Sequence, residues 1–277
     1  MKTIPGIVNF FNDDQVFITT ENQAFFTFAD LKKQIDWTKY FLGKNNIEKT
    51  DTIAIVCENG PVMATSFLAI ASSCCVAPLN PSYTSSEFDF YLEDLNPKAL
   101  IVKEESNSPV VEVAKKRGIK IFNLIVNNKD HSGKFSLTSK EKNIPNVINH
   151  NDNIFPEDTA LILHTSGTTS KPKMVPLTHL NLCTSAKNIV ETLNLDRSDK
   201  CINIMPLFHI HGIVGLLLSS LFSGGNIFTS TGFNALKFFS WLKVFSPTWY
   251  SAVPTMHQAI LSRANRNSEI IAQTKLR

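Results

Sequence analysis

Residues 164–174 have the sequence HTSGTTSKPKM, in which hydroxyl side chains surround one glycine and two lysines follow. The apolar run TALILHT at 159–165 leads into this segment and predicts a buried strand that ends there. Gly167 lets the backbone approach a ligand closely, and successive backbone amides can form a nest for an anion. Lys173, which follows Pro172, adds a positive charge.

These residue types suit a polyphosphate, because hydroxyls, amides and an ammonium all donate hydrogen bonds to phosphate oxygens. The candidate phosphate-binding residues are Thr165, Ser166, Gly167, Thr168, Thr169 and Lys173. The common nucleotide loop G-x-x-x-x-G-K-[ST] is absent from the sequence. A polar hairpin loop beside a strand explains the same composition, so the residues alone leave both interpretations open.

Composition excludes several classes of protein. The 277 residues are 43% hydrophobic and 18% charged, which favours a sizeable core over disorder. The net charge of +3 comes without a basic block or stripe, so nucleic-acid binding is not indicated. The five cysteines lie in apolar segments, which predicts reduced thiols in a cytoplasmic protein. Neither a signal peptide nor a membrane span is predicted.

Strand-like and helix-like patterns alternate along the chain, which predicts an α/β fold with parallel sheets flanked by helices. QVFITT and AFFTF predict a hairpin near the N-terminus. The small-residue run VMATSFLAIASSCCV at 62–76 predicts a buried helix, and residues 127–158 are expected to form a long polar connection.

The motif LILHTSGTTSKPKMV resembles the phosphate-loop signature of the adenylate-forming superfamily, which includes acyl-CoA synthetases, luciferases and peptide-synthetase adenylation domains. Further segments are similar to family motifs in the same order: CVAPLNPSYTSSEFDFYLED, MPLFHIHGIVGLL and TWYSAVPTMHQAIL. The resemblance covers essentially the whole chain, and within the superfamily it is closest to the oxalate–CoA ligases. Ser170 departs from the family pattern, which has glycine at this position.

The resemblance implies that residues 1–277 form a partial N-terminal AMP-binding domain, with a possible subdivision into 1–150 and 151–277. ATP, CoA and a small carboxylic acid would be the substrates of an AMP-forming ligase. The family's C-terminal lid domain, its adenylation lysine and its ligand for Mg²⁺ are not found in this sequence, so no catalytic residue is assigned. We therefore expect this chain alone to be inactive.

His209 and His211 in FHIHG are the candidate substrate-pocket residues, because the resemblance places them where the family lines its acyl pocket. A buried, hydrogen-bonded core histidine is the alternative for His209. The two side chains are not expected to bind one metal ion, because positions two apart on a helix do not face each other. His164 is expected to pack beside the loop. An inactive remnant, or one chain of a split enzyme with a complementary chain, remains an alternative function.

Overall fold

The computed structural model describes residues 1–126, 133–139, 153–165 and 172–277. Within these ranges the chain forms two β-sheets with helices packed against them, which confirms the predicted α/β fold. The strands are β1 (Val16–Thr19), β2 (Phe25–Thr27), β3 (Thr52–Val56), β4 (Cys75–Pro78), β5 (Ala99–Lys103), β6 (Lys120–Ile125), β7 (Ser136–Ser139), β8 (Thr159–Thr165), β9 (Lys173–Thr178), β10 (Lys200–Asn203), β11 (Asn226–Thr229) and β12 (Trp249–Tyr250).

The helices differ in length and in type. The α-helices are α1 (Ile4–Val8), α2 (Phe28–Lys44), α3 (Pro61–Ala71), α4 (Ser85–Leu95), α5 (Val110–Lys116), α6 (His179–Leu193), α7 (Ser219–Ser223), α8 (Phe238–Phe245), α9 (Pro254–Leu261) and α10 (Ser268–Gln273). A π-helix, His211–Leu218, leads directly into α7, and a 3-10 helix, Ala264–Asn267, precedes α10.

The larger sheet has the strand order β7-β6-β5-β3-β4-β8-β9 among the described residues. Its five central strands are parallel, whereas β7 and β9 are antiparallel edge strands. The residues of β4 are all buried, as expected of a parallel strand covered on both faces by other elements. The carboxyl ends of β3, β4 and β8 therefore lie at one edge of this sheet.

The smaller sheet has the order β12-β10-β11-β1-β2 in the same described part of the chain. Its strands β12, β10, β11 and β1 are parallel, and β1 pairs with β2 as the predicted antiparallel hairpin. Helix α3 is almost completely buried and belongs to the main hydrophobic core, which also includes Ile18 of the smaller sheet and Ile53 of the larger one. The two sheets thus share one core.

Two predictions for individual elements were wrong. The predicted helix at 62–76 ends at Ala71, and Cys75–Pro78 instead forms the central strand β4. Both segments are apolar and buried, so composition alone does not separate them. The predicted connection at 127–158 contains β7, whose Leu137 is buried against the main core.

Both sheets contain strands from before and after residue 150, because β8 pairs with β4 and β1 pairs with β11. The division near residue 150 therefore does not coincide with the boundary between the sheets, and it stays a proposal. Within the described ranges, no helix combines the length and the apolar character that crossing a bilayer requires.

Candidate functional site

The predicted phosphate loop joins β8 to β9, which form an antiparallel pair. Thr165, the last residue of β8, lies opposite Lys173, the first residue of β9, and both are exposed. The candidates Ser166, Gly167, Thr168 and Thr169 lie outside the described residues. The two described candidates are thus brought together where the loop begins and ends.

Strand β8 ends at the edge of the sheet where the carboxyl ends of the parallel strands lie. Because β8 is parallel to β4, and β4 to β3, the loop follows the carboxyl end of a parallel strand. Open α/β sheets bind ligands at this edge. With strands about 4.8 Å apart, the end of β8 lies roughly 10 Å from the end of β3.

His164, one residue before Thr165, does more than the packing predicted for it. Its Nε2 lies 2.8 Å from Oδ2 of Asp94 on α4, and its side chain is only 6% exposed. The ring also makes an edge contact with Tyr91, with a centroid separation of 4.7 Å. These contacts attach the end of β8 to α4. No feature of the local sequence identifies Asp94 as the partner.

The histidine segment, which we define as residues 204–211, follows the carboxyl end of β10. It contains a tight turn in which the backbone N–H of His209 donates to the carbonyl of Pro206 at 3.2 Å. Position 212, shortly after this turn, must be glycine, because a Cβ on Gly212 would overlap the backbone of Pro206. The π-helix begins at His211, and π-helical turns are frequent at functional sites.

His209 and His211 have different surroundings, although they are only two residues apart. His209 is exposed and its ring contacts Phe208, with a centroid separation of 4.6 Å, so it is not the core histidine of the alternative interpretation. His211 is partly buried, and its Nε2 lies 2.8 Å from Oγ of Ser251. The ring of His211 also lies against Gly215, where an added Cβ would be 3.0 Å from Cδ2.

Partial loss of hydration next to neighbouring atoms disfavours the charged form of both imidazoles, although His209 remains exposed. Desolvation lowers the pKa of His209, and it also lowers the pKa of His211, where the charge of the nearby His257 acts in the same direction. A neutral imidazole has one nitrogen that donates a hydrogen bond and one that accepts. The segment can therefore donate to a carboxylate without presenting a full positive charge.

Residues from β12 and α9 complete the polar side of this region. The hydroxyl of Tyr250 lies 3.1 Å from Nδ1 of His257, and desolvation raises the pKa of Tyr250. Ser251 follows Tyr250 directly and reaches His211. Sequence reasoning placed Tyr250 and Ser251 within a family-like segment but assigned them no role, because only the pairing of β12 with β10 brings this segment to His211.

Within the described ranges, no group of three His, Cys, Asp or Glu side chains is placed to hold a metal ion. The five cysteines form no disulfide with one another. Burial raises the pKa of Cys57 and of Cys75 to about 12, which keeps these thiols protonated and unreactive at neutral pH.

The sequence pattern of the AMP-binding enzyme family matches residues 8–276. The oxalate–CoA ligase of Arabidopsis thaliana is 40% identical over 225 residues, which cover 78% of this chain and 42% of the relative. The oxalate–CoA ligase of Saccharomyces cerevisiae is 33% identical over 282 residues, covering 92% of this chain and 52% of the relative. The chain thus spans about half the length of these curated relatives.

Solved structures show the same fold. MatB from Rhodopseudomonas palustris in its apo form superposes with a TM-score of 0.79 at 21% identity, over 99% of this chain and 54% of that protein. Its ATP-bound form gives a TM-score of 0.80 with the same identity and coverage. At this level of identity the likeness concerns the fold alone.

Proposed function

Since the chain belongs to the AMP-binding enzyme family, we propose that it supplies the phosphate-binding and acid-binding part of an AMP-forming carboxylate–CoA ligase. In this reaction a carboxylate attacks the α-phosphate of ATP, giving an acyl adenylate and pyrophosphate. The thiol of CoA then attacks the acyl carbon and releases AMP. The observation that carries the proposal is the pairing of Thr165 with Lys173 at the edge of the sheet where nucleotides bind.

Thr165, Ser166, Gly167, Thr168, Thr169 and Lys173 would hold the β- and γ-phosphates. Charge develops on pyrophosphate as it leaves, and donors placed around it in advance stabilise that charge without reorganising. The exposed Lys173 fits this role, because it lies opposite Thr165 at the end of the hairpin. Mg²⁺ is expected for the family, but we assign it no ligand in this chain and derive no step through it.

His209 and His211 would face the acid. We propose a small carboxylic acid as the substrate, with oxalate as the first compound to test, because two relatives above 30% identity are named oxalate–CoA ligases. The imidazole of His211 beside Ser251 and the exposed imidazole of His209 offer hydrogen bonds to a compact carboxylate, whereas a long acyl chain would require an apolar wall.

Because the chain spans about half of its relatives, we propose that turnover requires groups that it does not contain. By resemblance to the family, the adenine-binding loop, the magnesium ligand, the ribose-binding Asp and the adenylation lysine would lie in the remaining half. Losing one charge-stabilising group typically costs about 10²–10³ in rate, so losing several leaves essentially no catalysis. A complementary chain that carries these groups would be the partner.

The buried thiols support a reducing, cytoplasmic location.

Titration calorimetry with pyrophosphate and with ATP tests the phosphate site. The double variant Lys173→Ala/Thr168→Ala is expected to bind at least ten-fold more weakly, a change of about 1.4 kcal/mol, because it loses a charge and a hydroxyl. Lys187→Ala is the matched control, since it removes an exposed lysine from α6, where it pairs with Glu191. Equal affinity of the double variant and the wild type would show that the loop is not the phosphate site.

An ATP–pyrophosphate exchange assay tests the dependence on missing groups. The purified 277-residue chain is expected to give no exchange above background, and addition of a chain carrying the remaining family motifs should restore it. Failure to restore exchange would favour the inactive remnant. Exchange by the isolated chain, free of contaminating ligase, would contradict the proposal.

A further inference from the structure

Asn59 connects loops from the two sheets. It follows the carboxyl end of β3 in the larger sheet, and its Nδ2 donates to the carbonyl of Ser230 at 2.9 Å. Its Oδ1 accepts from the backbone N–H of Leu207, also at 2.9 Å. Ser230 follows β11 and Leu207 lies in the histidine segment after β10. Both partners therefore lie in loops that follow strands of the smaller sheet.

The two partners of Asn59 are removed from solvent. Leu207 is 0% exposed and Ser230 is 1% exposed, so hydration cannot readily replace these hydrogen bonds. A buried backbone polar group without a partner is unfavourable, which gives the Asn59 side chain a strong preference for this position. Asn suits it because one side chain supplies both the donor and the acceptor.

The bond to Leu207 acts close to the candidate acid site. Leu207 lies within the turn that the His209–Pro206 hydrogen bond closes, two residues before His209. Further support for this turn comes from its own strand, because Asn203 accepts from the N–H of Met205 at 2.9 Å and donates to the carbonyl of Gly212 at 3.2 Å. Asn59 therefore fixes the turn relative to the larger sheet, which carries the phosphate loop.

We propose that Asn59 is a positioning residue that sets the orientation of His209 and His211 toward the acid. This inference rests on the proposed function only for the identity of the ligand. Its geometric part, that Asn59 holds the two imidazoles in place, applies to the protein without any ligand.

The experiment uses the full chain with histidine labelled with ¹³C at Cε1, so that each of the seven histidines gives one resonance. Asn59→Ala removes both hydrogen bonds and is expected to shift the resonances of His209 and His211. His164 and His179, which contact α4 and α1, should keep their positions. Asn59→Ser, which retains a polar group, should shift the same two resonances less and provides a second variant if Asn59→Ala does not fold.

Asn226→Ala is the matched control. Asn226 is also a partly buried asparagine, and its side chain bonds Thr19 at the opposite end of β11. Loss of these bonds should leave the His209 and His211 resonances unchanged. Spectra in which folded Asn59→Ala and Asn59→Ser match the wild type would overturn the inference, as would equal shifts of all seven histidines.

Titration with oxalate separates this inference from the proposed function. In the wild type, oxalate should shift the His209 and His211 resonances. In Asn59→Ala the half-saturating concentration should rise about ten-fold, because imidazoles that are no longer held in place lose about one hydrogen bond to oxalate. If oxalate leaves the wild-type spectrum unchanged, the proposed acid is wrong, while the ligand-free spectra still decide the role of Asn59. An unchanged half-saturating concentration in Asn59→Ala would contradict the inference alone.

Discussion

The hairpin end, formed by Thr165 and Lys173, and the histidine segment at 204–211 are held in place in different ways. The hairpin end is exposed, and the adjacent β8–β9 ladder joins strands that are close in sequence. The histidine segment is fixed by contacts between distant positions, such as Asn59 with Leu207 and His211 with Ser251. The first region is recognisable from a continuous motif, whereas the second depends on how the sheets meet.

Under the proposed function, this difference in how the two regions are held separates affinity for phosphate from selectivity for the acid. A phosphate group needs donors and a positive charge, which a short exposed loop can provide by itself. Recognition of one small acid needs groups at fixed positions, and fixed positions come from packed, hydrogen-bonded neighbours. Substitutions should therefore disturb the histidine segment through its supports, and the hairpin end through its own side chains.

The largest effect is expected for Gly212→Ala. The new Cβ would overlap the backbone of Pro206, so the turn before His209 must open. Overpacking of this kind typically costs about 1–3 kcal/mol, and we expect the upper part of that range because backbone atoms are involved. Urea denaturation measures the loss, and pyrophosphate affinity should stay near that of the wild type because the hairpin end is not touched.

Gly118→Ala is the control for this substitution. Its Cβ would meet nothing within 4 Å, but the residue has a φ of +67°, so about 1 kcal/mol of backbone strain is expected. If Gly212→Ala were no more destabilising than Gly118→Ala, the turn would be looser than the structure indicates. If Gly212→Ala also weakened pyrophosphate binding, the histidine segment and the hairpin end would not be independent.

A fall in pH should destabilise the end of the β8–β9 hairpin that lies away from the loop. His179 begins α6 directly after β9 and is 0% exposed, and burial lowers its pKa to about 4 against an ordinary 6.5. The carboxylate of Asp158 opposes this shift but is the smaller influence. Between pH 6.5 and 4 the unfolded chain therefore binds a proton that the folded chain excludes, so stability is lost as the pH falls.

The size of this loss follows from the difference in pKa, which corresponds to about 3 kcal/mol at 1.36 kcal/mol per unit. The measurement is the free energy of unfolding from urea titrations across this range. His179→Gln should remove this part of the pH dependence, since glutamine does not titrate. An equal slope in the wild type and in His179→Gln would show that His179 is not the group responsible.

The smallest effects on stability are expected for the two histidines themselves. His211→Ala loses the hydrogen bond to Ser251 and should cost about 1 kcal/mol, whereas the exposed His209→Ala should stay within about 0.5 kcal/mol. Thermal unfolding measures both. His209→Ala should also leave ATP affinity near wild type while altering the binding of small carboxylates, measured by calorimetry. A change in stability without a change in acid binding would remove His209 from the pocket.

Much of the fold could be predicted because its patterns are local. The hairpin β1–β2 and the strand β8 follow from alternation and apolar runs. The strand at Cys75–Pro78 could not be separated from the preceding buried helix. Helix α3 and strand β4 are both mostly small or apolar and are buried on nearly every side, so periodicity carries no information there.

The candidate site also has features that the sequence predicts and features that it does not. The sequence by itself predicted a phosphate loop, because its hydroxyls, glycine and lysine are consecutive and need no other segment to be recognised. Only the tertiary structure decided that Asn59 reaches Leu207, 148 positions later, and that Ser251 reaches His211, 40 positions earlier. The physical reason is that a hydrogen bond depends on the distance between two atoms, and packing of the two sheets, rather than spacing along the chain, sets those distances.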